Sequence, residues 1–273
     1  MQSARMKVAI LLATHNRKSL TLNTFKLAKE FFPPTWYLDF FLTDDGSTDG
    51  TEEAVRELYP TVKIIKGTGD WYWSKSMAAA EASIVGNYDA LLWLNNDICL
   101  YKSEFENFFN TQQRYPDAVL IGQFCDSEKK GITYGGFFRT GRNALKLVRV
   151  HAHNTSSKID AFNGNFVWIP WKVKQKLGCI DGGFQHAFGD IDYAYRATAF
   201  GISIYIVPSF IGSCNLNEST EERSRMKEIR RLMSPKGLPL ADQWRFHQRH
   251  SGILAPWFAI LPYLKVFIKK RNS

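Results

Sequence analysis

The chain has 273 residues, of which 45% are hydrophobic and 22% charged, and this composition excludes a disordered, collagen-like or coiled-coil protein. Lys and Arg outnumber Asp and Glu by 35 to 26, which favours an anionic partner such as a nucleic acid, an acidic lipid or a phosphorylated small molecule. The 4 cysteines form no CxxC pair, and unpaired thiols are typical of a reducing compartment. We therefore expect a cytoplasmic protein, and no apolar run is long enough to predict a spanning helix.

The first hundred residues repeat one pattern, in which an apolar run is followed by a polar loop and a helical segment. The predicted strands are 7–13, 37–43, 62–65 and 90–94. The predicted helices are 19–31, 50–59, 75–85 and 104–114, the last three capped by Asp49, Ser74 and Ser103. This alternation predicts an α/β fold with a mostly parallel central sheet flanked by helices.

The pattern changes after residue 118. Short strands follow one another with little helix between them, at 119–124, 132–138, 145–150 and 166–169, and helices return at 172–177 and 190–200. We expect a small antiparallel extension of the parallel sheet, and no low-complexity linker divides the two parts. The predicted organisation is a single domain over 1–250, with a nucleotide-binding half (1–118) and an acceptor-binding half (119–250), followed by an apolar and basic tail (251–273).

Polar residues follow each predicted parallel strand, at the sheet edge where α/β proteins bind ligands. Thr14, Asn16 and Arg17 follow the first strand. Asp44 and Asp45 follow the second, where they can accept hydrogen bonds from a base or a ribose, or form an ordinary turn.

The fourth predicted strand runs into Asn95, Asn96 and Asp97. A carboxylate facing a diphosphate is a suitable ligand for Mg²⁺ or Mn²⁺, although the tripeptide by itself also fits a polar turn. The segment 67–73 is not a phosphate loop, and its aromatic residues form either a stacking wall or core anchors.

A second acidic pair stands near the middle of the acceptor-binding half. Asp190 and Asp192 lie in the first turn of a predicted helix, where the helix dipole favours the ionised form. An ionised carboxylate in a fixed position can remove a proton from an attacking alcohol, and N-capping is the alternative role.

Five segments together resemble the inverting family-2 glycosyltransferases of the glycosyltransferase-A fold, with the rhamnosyltransferase-like branch of bacterial surface polysaccharide synthesis as the closest match. They are ILLATHNR (10–17), LTDDGSTDGT (42–51), GDWYWSKSMAAA (69–80), LLWLNNDI (91–98) and FGDIDYAYRATAFG (188–201). The resemblance implies a metal-dependent transfer of a sugar, with inversion, from a nucleotide-diphosphate donor to a glycan or lipid-linked acceptor. It implies no nucleic-acid partner, and the oligomeric state stays open.

The resemblance also implies a role for particular residues. The implied donor site comprises Thr14, Asn16, Arg17, Asp44, Asp45, Gly69, Trp73, Asn95 and Asn96. Asp97 would bind Mg²⁺ or Mn²⁺, and Asp190 would be the general base, with Asp192 as the alternative. Two departures from the family pattern stand out: the metal motif begins with Asn95, and Gly189 replaces the glutamate of the usual Glu-Asp pair.

Two other functions stay open. A nucleotidyltransferase would share the strand-end architecture but needs a glycine-rich phosphate loop, which is missing near residues 14–18. A non-catalytic sugar-nucleotide or membrane-scaffolding module would need no base. The tail is either a terminal segment that packs on the body of the protein or on another subunit, or an interfacial segment whose Lys269, Lys270 and Arg271 meet an anionic membrane surface on the inner face of the membrane. The membrane surface is favoured because the resemblance implies acceptors that are often lipid-linked.

Overall fold

The computed structural model describes residues 5–128, 131–216 and 224–268. The strands in these ranges are β1 (Lys7–Thr14), β2 (Tyr37–Asp44), β3 (Lys63–Lys66), β4 (Ala90–Leu94), β5 (Cys99–Leu100), β6 (Val119–Cys125), β7 (Ile132–Tyr134), β8 (Gly136–Arg139), β9 (Leu147–Arg149), β10 (Ser157–Lys158), β11 (Ala161–Phe162), β12 (Phe166–Pro170) and β13 (Ile204–Ser213). The helices are α1 (Lys18–Phe31), α2 (Thr51–Leu58), α3 (Tyr72–Ala82), α4 (Phe105–Arg114), α5 (Trp171–Leu177), α6 (Gly189–Ala199), α7 (Arg225–Met233), α8 (Leu240–His250) and α9 (Ala255–Ile268).

The central sheet begins with four parallel strands in the order β3, β2, β1, β4. Their side chains alternate between two hydrophobic cores, so that Leu11 packs in one core and Ile10 in the other. Both residues are fully buried, as expected for a parallel strand with helices on both faces. The predicted α/β fold with a mostly parallel sheet is therefore confirmed.

Beyond β4 the strand direction changes. β12 pairs antiparallel with both β4 and β6, and β13 runs parallel to β6. A separate three-stranded antiparallel sheet has the order β11, β8, β9. The antiparallel extension is confirmed, and it places the beginning of β12 beside the end of β4.

Several predicted boundaries were wrong. Residues 132–138 form two strands separated at Gly135, because β7 pairs with β6 of the central sheet while β8 pairs with β9 and β11 of the small sheet. Ser74 does not cap α3, which begins at Tyr72; its hydroxyl instead donates to the His186 carbonyl. A short 3₁₀ turn, and no side-chain cap, precedes α4.

The C-terminal region is more regular than the sequence indicated. The tail forms helix α9, which packs against α7 and α8, and its last residues (269–273) lie outside the described part of the chain. None of the described helices has both the length and the apolarity that a membrane crossing requires.

Candidate active site

The ends of β1 and β4 are joined by a buried amide. Asn96 Nδ2 donates to Thr14 Oγ1 at 3.0 Å and to Thr21 Oγ1 at 3.1 Å. The guanidinium of Arg17 then bridges Asn96 Oδ1 at 3.2 Å and Asp97 Oδ2 at 2.8 Å. This network fixes a cation and a carboxylate at the carboxyl edge of the sheet, where the sequence predicted the site.

Asp45 organises the loop that leads into α3. Its carboxylate accepts hydrogen bonds from the backbone N–H groups of Gly69 (2.8 Å), Trp71 (2.9 Å) and Tyr72 (3.0 Å). Gly67 lies so close that an added Cβ would stand 2.4 Å from Asp45 Oδ1. The carboxylate is thus buried under the loop and, in this structure, determines the loop's shape.

Hydrogen bonds join the turn after β2 to the loop after β1. Asp44 Oδ1 accepts the Ser47 N–H at 2.8 Å, which closes the turn. Asn16 donates its N–H to Ser47 Oγ at 2.9 Å and accepts the Thr48 N–H at 2.7 Å. These bonds bring Asn16 and Asp44 to one side of the site.

Trp73 is a core anchor with a polar function. Its ring packs edge-to-face on Trp93, with centroids 6.0 Å apart, and its Nε1 donates to Asn95 Oδ1 at 2.8 Å. Gly164 lies under the same ring, because an added Cβ there would come within 2.3 Å of it. Trp73 therefore orients Asn95 and also contacts the loop that precedes β12.

Asp190 stands in the first turn of α6 and faces that same loop. Its Oδ2 accepts the Gly164 N–H at 3.0 Å, and its Oδ1 accepts the Ile191 N–H at 2.9 Å. Burial raises the pKa of Asp190 to about 6, despite these two hydrogen bonds. A carboxyl with this pKa is mostly ionised at neutral pH and remains basic enough to accept a proton.

Asp192 lies in a different environment, although it is only two residues further along α6. Its side chain is fully buried and pairs with Arg196 (2.9 Å), Arg249 (3.1 Å) and His250 (2.8 Å). Burial opposes ionisation, but the hydrogen bonds from His250 and Arg196 outweigh it and lower the pKa of Asp192 to about 2. This carboxylate joins α6 to α8.

A continuous set of contacts connects Asp97 with Asp190. Asp97 Oδ1 lies 4.0 Å from Cys214 Sγ, which lies 3.7 Å from Asn165 Nδ2. Gly164, next to Asn165, donates its N–H to Asp190. Asp97 and Asp190, which belong to different segments of the chain, are therefore connected through Cys214, Asn165 and Gly164.

More than half of the chain, residues 9–165, matches the family model described as Glycosyl transferase family 2. The chain belongs to glycosyltransferase family 2. No curated protein matches the chain.

Solved structures with a similar fold are also glycosyltransferases. The mannosyltransferase PcManGT from Pyrobaculum calidifontis, solved with GDP-Man and Mn²⁺, has a TM-score of 0.54 and 15% identity over 97% of this chain and 75% of that chain. GalNAc-T7, solved with UDP, GalNAc and Mn²⁺, has a TM-score of 0.62 and 12% identity over 95% of this chain and 54% of that chain. TarS from S. aureus has a TM-score of 0.56 and 16% identity over 91% of this chain and 44% of that chain. The chain thus spans about half of the latter two, and at these identities the likeness shows the glycosyltransferase-A fold alone.

The glycosyltransferase offers a limited set of metal ligands. Asp97 is the one carboxylate that follows β4, and the Asn95 side-chain oxygen already accepts a bond from Trp73. Burial raises the pKa of the nearby Cys214 thiol to about 12, so that it stays protonated and is a poor ligand. Among the residues that the structure describes, no cluster of three His, Cys, Asp or Glu side chains could hold a metal. This donor set fits a Mg²⁺ or Mn²⁺ ion that takes its other ligands from water and a substrate diphosphate.

The sequence analysis missed a basic side of this site. Burial lowers the pKa of His186, and the positive charges of Lys236 and Arg17 lower it further, so that both cations lie within electrostatic reach of His186. His186 also lies 6.3 Å from the Tyr72 ring. Its position four residues before Asp190 was the available signal, but nothing in the sequence linked it to Arg17 or Lys236.

The backbone is strained at three points around the site. Asn16, Tyr72 and Phe188 have φ angles of 52°, 56° and 73°, in the left-handed region that side chains other than glycine rarely adopt. Asn16 is a predicted site residue, Tyr72 precedes Trp73, and Phe188 lies two residues before Asp190. Such strain collects at functional sites, where the surrounding hydrogen bonds maintain it.

Proposed function

We propose that this glycosyltransferase moves a sugar from a nucleotide-diphosphate donor to a hydroxyl group of an acceptor, with inversion at the anomeric carbon. The observation that carries the proposal is the buried carboxyl of Asp190, whose pKa is about 6, and its connection through Gly164, Asn165 and Cys214 to the Asp97–Arg17 pair. The family and the fold support glycosyl transfer in general.

Asp190 is the proposed general base. Its carboxylate takes the proton of the acceptor hydroxyl while the hydroxyl oxygen attacks the anomeric carbon. The new C–O bond forms on the face opposite the departing nucleoside diphosphate, whose bond to the same carbon breaks. One displacement of this kind inverts the configuration. Asp192 is unsuited to this role, because three cationic or hydrogen-bonding side chains already occupy its carboxylate.

The leaving group gains negative charge, and Arg17 is the proposed group that meets it. Arg17 lies at 2.8 Å from Asp97, and its side chain is partly exposed at the site. Asp97 would hold a Mg²⁺ or Mn²⁺ ion, which supplies further positive charge to the diphosphate when bound. Fixed charges placed where charge develops lower the barrier more effectively than mobile water does.

The donor would lie across the ends of β1 and β2. Asn16 and Asp44 lie beside the turn there, and we propose them as contacts for the base or the ribose. Asp45, Trp73 and Asn96 would act by shaping the site, because their side chains bond to Gly69, Asn95 and Thr14. Glycosyltransferases of similar fold were solved with GDP-Man and with UDP-GlcNAc, which supports this class of donor.

We also propose a role in bacterial surface polysaccharide synthesis, with a glycan or lipid-linked acceptor at the inner face of the membrane. This proposal, like the rhamnosyltransferase-like branch, rests on the sequence resemblance.

The proposed function is tested by thermal shift with a panel of UDP-, GDP- and dTDP-sugars, with and without Mn²⁺. We expect one donor to raise the melting temperature more with Mn²⁺ than without it, because a ligand that binds the folded state stabilises it. That donor should then be hydrolysed slowly to a free sugar in the absence of acceptor.

Two results would contradict the proposal. Donor binding without hydrolysis or transfer would indicate a non-catalytic binding module. Release of pyrophosphate from a nucleoside triphosphate and a sugar phosphate would indicate a nucleotidyltransferase.

A further inference from the structure

The net positive charge of the chain comes from its last fifty residues. From Ser224 onwards there are eleven Lys and Arg residues against two acids, Glu228 and Asp242, which gives this segment a formal charge of +9. The whole chain also has a formal charge of +9, so the first 223 residues are balanced. The excess of positive charge therefore belongs to this one segment, which the composition of the whole chain does not reveal.

The described part of this segment is a unit of three helices. α9 packs against both α7 and α8, and the Tyr263 hydroxyl donates to the Leu238 carbonyl at 2.7 Å, which ties α9 to the α7–α8 connection. Ala255 and Ala259 are buried and define the inward side of α9. We call α7, α8 and α9 together the C-terminal helical unit.

The outer side of α9 is apolar. Trp257, Ile260, Phe267 and Ile268 recur at helical spacing opposite the two buried alanines, and Ile253 just before the helix is 95% exposed. The structure describes 17 exposed large hydrophobic residues, and nine of them lie in the C-terminal helical unit and its connections. They are Met226, Met233, Leu240, Trp244, Ile253, Trp257, Ile260, Phe267 and Ile268.

The C-terminal helical unit also carries exposed cations. Arg225, Lys227 and Arg230 are exposed on α7, and Lys265 is exposed on α9. In the sequence Lys269, Lys270 and Arg271 follow directly, outside the described residues. Apolar side chains with two tryptophans among them, next to Lys and Arg, match the boundary between the acyl chains and the anionic headgroups of a bilayer.

We propose that the C-terminal helical unit docks the protein on an anionic lipid bilayer. The apolar side chains of α9 enter the headgroup region, and the surrounding Lys and Arg side chains pair with lipid phosphates. A second copy of the chain is a less suitable occupant of this face, because two segments of formal charge +9 would repel each other.

The C-terminal helical unit contacts the segment that precedes α6. Lys236, in the connection between α7 and α8, contributes to the positive field at His186. Asp242 of α8 accepts the Gln185 N–H at 3.1 Å, just ahead of α6. If the proposed transferase function holds, this placement brings a lipid-linked acceptor close to Asp190; the docking itself does not depend on that function.

The test is co-sedimentation of the full chain with vesicles of phosphatidylglycerol and of phosphatidylcholine. We expect binding to phosphatidylglycerol vesicles, at least about tenfold weaker binding to phosphatidylcholine, and weakening by added salt. Trp257→Glu should reduce binding about tenfold or more, and so should the pair Lys227→Gln and Arg230→Gln, since one removes apolar insertion and the other removes charge.

Val85→Glu is the matched control, because Val85 is 76% exposed and lies outside the C-terminal helical unit. Circular dichroism melting of each variant checks that it is folded. The proposal is overturned if phosphatidylglycerol vesicles do not bind the protein, or if Trp257→Glu binds like Val85→Glu. A dimer that Trp257→Glu dissociates, without vesicle binding, would assign the face to a second copy. Vesicle binding needs no sugar donor, so its failure would leave the proposed transferase function standing.

Discussion

Two carboxylates that are two residues apart on α6 have opposite electrostatic surroundings. Asp190 accepts two backbone hydrogen bonds, and burial raises its pKa to about 6. Asp192 meets Arg196, Arg249 and His250, and its pKa falls to about 2. The Asp190 carboxyl can exchange a proton near neutral pH, whereas the Asp192 carboxyl stays ionised until the pH approaches 2.

Replacing the proposed base separates catalysis from binding. We expect Asp190→Asn to lower transfer by roughly 100- to 10,000-fold, the usual contribution of general base catalysis, while donor affinity in calorimetry stays near that of the wild type. Asp117→Asn, at an exposed residue outside the site, serves as the control. Unchanged turnover in Asp190→Asn would remove Asp190 from the mechanism.

The pKa of Asp190 also predicts a pH profile. The base acts in its deprotonated form, so kcat/KM should fall as pH drops through about 6, with a slope approaching tenfold per pH unit. Measurement of kcat/KM between about pH 4.5 and 8 checks this. A flat profile across this range would mean that another group accepts the proton.

Asp97 should matter for the donor through its metal ion. We expect Asp97→Ala to abolish the gain in donor affinity that Mn²⁺ gives, because the one carboxylate that follows β4 is then lost. Calorimetry with and without Mn²⁺ measures the difference. An equal Mn²⁺ effect in both proteins would show that the ion is held elsewhere.

At the scale of elements, the loop before α3 depends on one side chain. Asp45 accepts three backbone N–H groups, so Asp45→Ala leaves several donors without their partner. We expect a loss of about 1–3 kcal/mol in the free energy of unfolding, together with weaker donor binding, because the loop loses its fixed shape. Urea unfolding and calorimetry test both, and a fall in affinity at unchanged stability would instead assign Asp45 to direct donor contact.

The stabilisation that Asp192 gives by joining α6 to α8 should depend on pH. The folded-state pKa of Asp192, about 2, lies below its ordinary value of 3.8, so its stabilisation is full above that value and is lost as pH falls towards 2. We expect Asp192→Asn to destabilise the protein by about 3 kcal/mol at pH 7, since Arg196, Arg249 and His250 all lose the buried anion that they share.

Urea unfolding at several pH values measures this difference. The gap between wild type and Asp192→Asn should shrink as pH falls from about 4 towards 2, because the carboxyl takes up a proton in the unfolded wild type first and in the folded wild type only near pH 2. If the difference in the free energy of unfolding does not change with pH, the packing of the Asp192 side chain, and not its charge, stabilises the protein.

At the scale of the whole molecule, the change of strand direction creates the site. β4 runs parallel to β1 but antiparallel to β12, so the residues after β4 lie beside those before β12. The Asn95 N–H accordingly donates to the Asn165 carbonyl at 3.0 Å. The parallel half thus supplies Asp97 and Arg17, the antiparallel half supplies Gly164 and Cys214, and α6 adds Asp190 at their junction.

The sequence by itself predicted the central sheet, since buried parallel strands leave long apolar runs such as those of β1 and β4. It also predicted where the polar residues gather, because parallel strands end at one edge. Residues 14–17, 44–45 and 95–97 are therefore found together. The sequence analysis did not predict β13, α7 or α8.

Only the tertiary structure decided what the individual side chains at that edge bond to. Asp190 and Asp192 have the same local sequence signals, and they differ because Arg249 and His250 arrive from a helix nearly sixty residues away. Likewise, the bonds of Asp45 to the 69–72 loop and of Trp73 to Asn95 join separate segments of the chain. Local patterns report propensity and periodicity, whereas pKa values and hydrogen-bond partners depend on distances through space, and folding alone sets those distances.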